Sequence, residues 1–89
     1  MTIDRDQALT KRSDNERKFS NWEDLPGGNR RYWQDVLGRH GWRARYVKIV
    51  DSSENTISFY QEIYDERGEL FEVHEKFPFD RGHRRVKGE

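Results

Sequence analysis

Residues 29–41 read NRRYWQDVLGRHG, and whether they form a helix or a strand decides the kind of domain this chain builds. Trp33, Val36, Leu37 and His40 fall at i, i+3, i+4 and i+7, with Asn29 placed to cap a helix and Gly38 or Gly41 to end it. Against a helix, Tyr32, Trp33 and Val36 are strand formers, and Arg30 with Arg31 would sit at the positive end of the helix dipole. The segments C-terminal to it make the choice.

WRARYVKIV (42–50), TISFYQEIYD (56–65) and ELFEVHEKF (69–77) are rich in aromatic and β-branched residues and are separated by DSSEN and by a turn containing Arg67-Gly68. They predict a three-stranded antiparallel meander. One apolar face of such a sheet needs cover, and the segment carrying Trp33, Val36 and Leu37 is the internal candidate to supply it. The expectation is therefore an α+β domain, one short helix packed on a three-stranded antiparallel meander. The alternative is an all-β four-stranded meander or half-barrel, with residues 29–38 as the additional strand.

Alternation places Ile57, Phe59 and Ile63 on one face of the second strand, and Phe71, Val73 and Phe77 on one face of the third. A three-residue loop, Glu66-Arg67-Gly68, lets these sets share a core by opposing Ile63 to Phe71, and it puts Gly68 where a left-handed residue is needed. In the first strand, Trp42, Ala44 and Tyr46 are out of phase with Val47 and Ile49, which predicts a bulge at Tyr46-Val47. Pro78 should end the third strand, with Phe77 and Phe79 as core plugs and Asp80-Arg81-Gly82 as a turn.

Composition bounds the rest. With 89 residues, 31% hydrophobic and 38% charged, and a mean hydropathy of −1.27, the chain holds at most one small domain. Residues 1–21 carry few apolar side chains and hold no sustained period, so they read as a disordered tail. Residues 22–89 read as the domain, closing in a short basic C-terminal tail. The absence of cysteine excludes disulfides and Cys-based zinc sites. No apolar run approaches the roughly 20 residues of a membrane span, so a soluble, cytoplasmic protein is the default expectation. Charge is zero in sum but uneven: residues 26–48 carry +5 and residues 49–77 carry −6.

With this register, the outward face aligns Arg45, Tyr60 and His74 in one row and Arg43, Glu62 and Glu72 in the next. Arg43, Arg45, Lys48, Tyr60, Tyr64 and His74 are the candidate binding residues: cations and aromatic planes suited to a protein partner or an anionic polymer, nucleic acid included. The leading expectation is a non-enzymatic binding or interaction module. The alternative is a small metal-independent ribonuclease, with His74 and Glu62 or Glu72 as acid and base and Arg43 or Arg45 on the phosphate. A homodimer burying its aromatic residues is a third reading. His74, Asp80 and His83 lie close together in HEKFPFDRGHRR (74–85), but their spacing matches neither a zinc finger nor a His-Glu-x-x-His helix, and no glycine-rich phosphate loop or serine nucleophile motif is present. No metal and no cofactor is expected.

Overall fold

A computed structural model describes residues 5–86. The chain begins with α1 (Arg5–Lys18) and continues as six strands, β1 (Asn21–Asp24), β2 (Arg30–Leu37), β3 (Arg43–Val50), β4 (Thr56–Tyr64), β5 (Leu70–Phe77) and β6 (Gly82–Arg85). The strands form one antiparallel sheet in the order β1-β2-β3-β4-β5-β6. Its outer strands do not pair with each other, so it is an open ribbon, 46 × 24 × 21 Å, rather than a barrel.

The α+β expectation is thus corrected to a mostly β architecture, and the all-β alternative fits only in part, since it counted four strands. Residues 29–38 do not form the predicted helix: β2 occupies Arg30–Leu37 and pairs without interruption with β3 from Arg30↔Val50 to Leu37↔Arg43. The helical spacing rested on Val36 and Leu37, which are 45% and 82% exposed at the end of the strand. Tyr32, outside that spacing, is fully buried. The backbone hydrogen bonds of two neighbouring strands and the burial of Tyr32 outweigh a weak local helical pattern.

The cover comes from α1 instead. From Arg5 onward the stretch expected to be a disordered tail is helix and strand, while residues 1–4 lie outside the described residues. The face of the helix bearing the half-buried Ala8, with Arg12 and Asn15, continues into Phe19 just beyond it, and Asn15 and Phe19 are buried. The spacing of these residues, four, three and four, is helical, but two of the four are the polar Arg12 and Asn15 and Ala8 is small, so no strong apolar period shows. Phe19 packs on Tyr32 with ring centroids 5.7 Å apart, and Val50 completes the buried cluster, with Tyr46 and Phe59 against it.

Polar contacts fix the helix on the sheet. Glu54 Oε2 accepts hydrogen bonds from the Tyr32 phenol (2.8 Å) and the Asn15 amide (3.1 Å), and Arg12 lies 3.6 Å from Glu54 Oε1. Arg30, 8% exposed, donates to Asp24 and Glu16. Burial works against its charge, but Asp24 and Glu16 prevail and hold the guanidinium above its ordinary pKa.

Two further expectations are corrected by register. The hairpin after β4 does close as a three-residue loop, with Asp65 N donating to Glu69 O and Gly68 N to Asp65 O, and Gly68 has φ +80°. A bulge beside Tyr64 then opposes Ile63 to Glu72 rather than to Phe71, and a second lies between Phe59 and Tyr60. Each bulge adds one residue and flips the faces beyond it. Phe59 and Ile63 consequently lie on one face and Val73 on the other, so the expected joint core of Phe59, Ile63, Phe71 and Val73 does not form. The bulge expected at Tyr46-Val47 is absent, and the pairing of β3 with β4 shifts at Ile49/Val50. Phe77 and Phe79 are 43% and 68% exposed rather than core plugs, and the basic tail pairs with β5 as β6.

Candidate functional site

One sheet face carries α1; the other carries no helix among the described residues. On this open face the register lines up Trp33, Val47 and Tyr60 across β2, β3 and β4, then Asp35, Arg45 and Glu62, then Leu37, Arg43 and Tyr64. Val47 is 2% exposed although it faces away from α1, because its cross-strand neighbours Trp33 and Tyr60 flank it. It floors a hollow of about 190 Å³ lined also by Arg31, Arg45, Glu62 and Tyr64.

Each cation here is oriented by a ring or a carboxylate. Arg31 lies over Trp33 at 5.5 Å, and Arg43 and Arg45 lie over Tyr64 at 4.5 and 5.9 Å. Arg45 grips Asp35 with two hydrogen bonds, 2.7 and 3.1 Å, and Arg31 holds Glu23 at 2.8 Å. The Arg45 hydrogen bond holds the Asp35 carboxyl below its ordinary pKa, with Arg43 adding to the effect. Burial, then Glu62, raises both phenols, and Tyr64 Oη donates to Glu62 at 2.9 Å. At neutral pH the hollow therefore offers guanidinium and phenol donors and aromatic planes.

The expected site residues divide between the faces. Arg45, Tyr60 and Tyr64 meet at the hollow together with Glu62, and Arg43 shares their face beside it, whereas Lys48 and His74 point to the α1 side, as does Glu72. The constellation weighed for RNA cleavage is split by the sheet: His74 and Glu72 on one side, Glu62, Arg43 and Arg45 on the other. Arg31 and Trp33 were missed as site residues because the segment was read as a helix. Read with period 2, RRYWQD places Arg31, Trp33 and Asp35 on one side, and that was the available signal.

HEKFPFDRGHRR forms a side-chain chain on the α1 face. Glu72 contacts His83 Nδ1, His83 Nε2 lies 3.1 Å from His74 Nδ1, and His74 Nε2 lies 2.7 Å from Asp80 Oδ1. All three hydrogen bonds form when the two imidazoles together hold three N–H protons. The His74 hydrogen bond, then the Gly82 amide, holds the Asp80 carboxyl below its ordinary value. The ring nitrogens are committed to each other and to carboxylates, and among the described residues no group of three or more His, Asp or Glu side chains is arranged to hold a metal ion. No helix among the described residues is long and apolar enough to cross a membrane.

No protein-family model, curated protein or solved structure matches the chain.

Proposed function

We propose that this protein is a non-enzymatic interaction module that binds a partner protein through the open sheet face, centred on Arg31, Trp33, Arg45, Tyr60 and Tyr64. The observation that carries this reading is the stacking of Arg31 on Trp33 and of Arg45 on Tyr64 around one hollow, with Arg43 on the far side of the Tyr64 ring. Trp, Tyr and Arg are the residues that dominate binding energy at protein interfaces. Carboxylates that already hold Arg31 and Arg45 favour a protein over a polyanion, since they fix the guanidinium planes and cancel the charge a phosphate backbone would seek.

The test is affinity capture from extract of the native host with the wild-type chain and with Tyr60→Ala and Arg45→Ala, each sample split with and without ribonuclease. A partner lost in both variants, retained after ribonuclease and retained by the α1-face variant Lys48→Ala supports the reading. Capture that depends on intact RNA and falls steeply with salt replaces it with nucleic-acid binding. A doubled mass of the purified chain that reverts in Tyr60→Ala makes the partner a second copy of this chain.

A further inference from the structure

The α1 side of the sheet carries a feature that the open-face reading does not use. Below the C-terminal end of α1 lie two adjoining hollows, of about 390 and 360 Å³, which share Lys18, Phe19 and Phe59. Thr56 and Phe77 extend the first, and Gln34 and Tyr46 extend the second. Each is as large as a small-molecule site, for which about 300–1,000 Å³ is usual. Together they form a trough with aromatic walls.

The charged side chains lining the trough are Lys18 and Lys48, and Lys76 joins them from β5, its ammonium 5.4 Å from the Tyr46 ring and 5.8 Å from the Phe59 ring. Among the described residues no carboxylate lines either hollow. The nearby acid, Glu54, is engaged by Tyr32, Asn15 and Arg12, and Lys48 reaches only the Asn15 amide oxygen, at 2.9 Å. Burial, followed by the repulsion of Lys18 and Lys11, lowers the pKa of Lys48. The rim is thus a cationic cluster above an apolar trough, with Glu54 acting on Lys48 and Asp80 on Lys76 from outside the walls.

We infer that this trough is a ligand site for an acyl carboxylate, a linear apolar chain with one anionic head, held with its head between Lys18 and Lys48 and its chain across Phe19, Phe59 and Phe77. An elongated body fits two adjoining hollows, wider than either alone. Among the described residues Thr56 and Gln34 are the only uncharged polar groups in the walls besides the Tyr46 phenol, too few to read the edge of a nucleobase. The exposed Phe77, 43% accessible beside Phe59, is the side chain such a chain would cover.

The test is calorimetric titration of the full chain with decanoate, decanol, butyrate and a uridine oligonucleotide. Decanoate should saturate one site, with decanol and butyrate each at least about tenfold weaker, because decanol forfeits the charge-assisted hydrogen bonds to the lysines and butyrate most of the apolar burial. Lys48→Met should weaken decanoate about tenfold. Phe77→Glu, at an exposed position that leaves the fold intact, should abolish binding by placing a carboxylate at the mouth. Arg31→Ala, on the opposite face, should leave it unchanged. Equal binding of decanol and decanoate, or decanoate binding that survives Phe77→Glu, overturns the assignment. So does an oligonucleotide that binds more tightly than decanoate and is lost in Lys48→Met.

Discussion

The Tyr32 phenol donates a 2.8 Å hydrogen bond to Glu54 Oε2 in the interior, and Glu54 holds a left-handed backbone, φ +64°, in doing so. A β3–β4 loop carboxylate is thereby made the common acceptor for β2 and for Asn15 of α1. Removing the phenol oxygen should destabilise the protein by about 1.5–3 kcal/mol, the range for hydrogen bonds to charged groups. Glu54→Ala should cost more, since it leaves Tyr32 and Asn15 without their acceptor and keeps a side chain in a strained conformation. Urea unfolding of Tyr32→Phe and Glu54→Ala measures both, and the reverse order would show that Glu54 is not the hub.

Phe19 is the apolar anchor of α1, 8% exposed against Tyr32. Phe19→Ala should lose about 3–5 kcal/mol, a large share of the total stability expected of a small domain. Leu37, 82% exposed, is the contrast, and Leu37→Ser should stay within about 0.5 kcal/mol of the parent. Comparable melting curves for the two variants would mean that α1 does not rest on the sheet through Phe19.

At Gly68 the cost is in the backbone alone. An added Cβ would have nothing within 4 Å, yet φ is +80°. Gly68→Ala should lower stability by about 1–2 kcal/mol and Gly68→Asn by less, because asparagine tolerates the left-handed region. A melting temperature unchanged in the alanine variant would contradict the loop geometry.

The Asp35–Arg45 pair sets an acid limb to stability. Because the folded-state pKa of Asp35 lies below its unfolded value of about 3.9, the contribution is complete above that value and is lost as pH falls through the folded one. Melting temperatures between about pH 2 and 5 should therefore fall with acidification, and Asp35→Asn should make that fall shallower. An identical slope in the variant would show that the pair is open in solution.

How much was legible in the residues alone differs from place to place. Strands were expected at 42–50, 56–65 and 69–77 and occur at Arg43–Val50, Thr56–Tyr64 and Leu70–Phe77, because runs such as RYVKIV combine β-branched and aromatic side chains between turn residues. Gly68 declared its left-handed turn in the same local way. The chemistry of Arg43, Arg45, Tyr60 and Tyr64 singles them out in the sequence, and all four share the open face, the last three of them at its hollow. His74 and Lys48 were assigned with them, but strand register carries them to the other side.

What composition and period alone determined is the part set by nearest neighbours: which stretches extend, where the chain turns, and which side chains suit recognition. Tertiary structure decided the remainder. Residues 30–37 became a strand because β1 and β3 bind both of its edges. Residues 5–18 became a docked helix because Arg12 and Asn15 found Glu54, and Phe19 found Tyr32. Neither partner is visible within one local window. Two bulges in the β4–β5 pairing then set which residues meet, since a single added residue inverts every face beyond it while leaving the composition and the alternation of each strand unaltered.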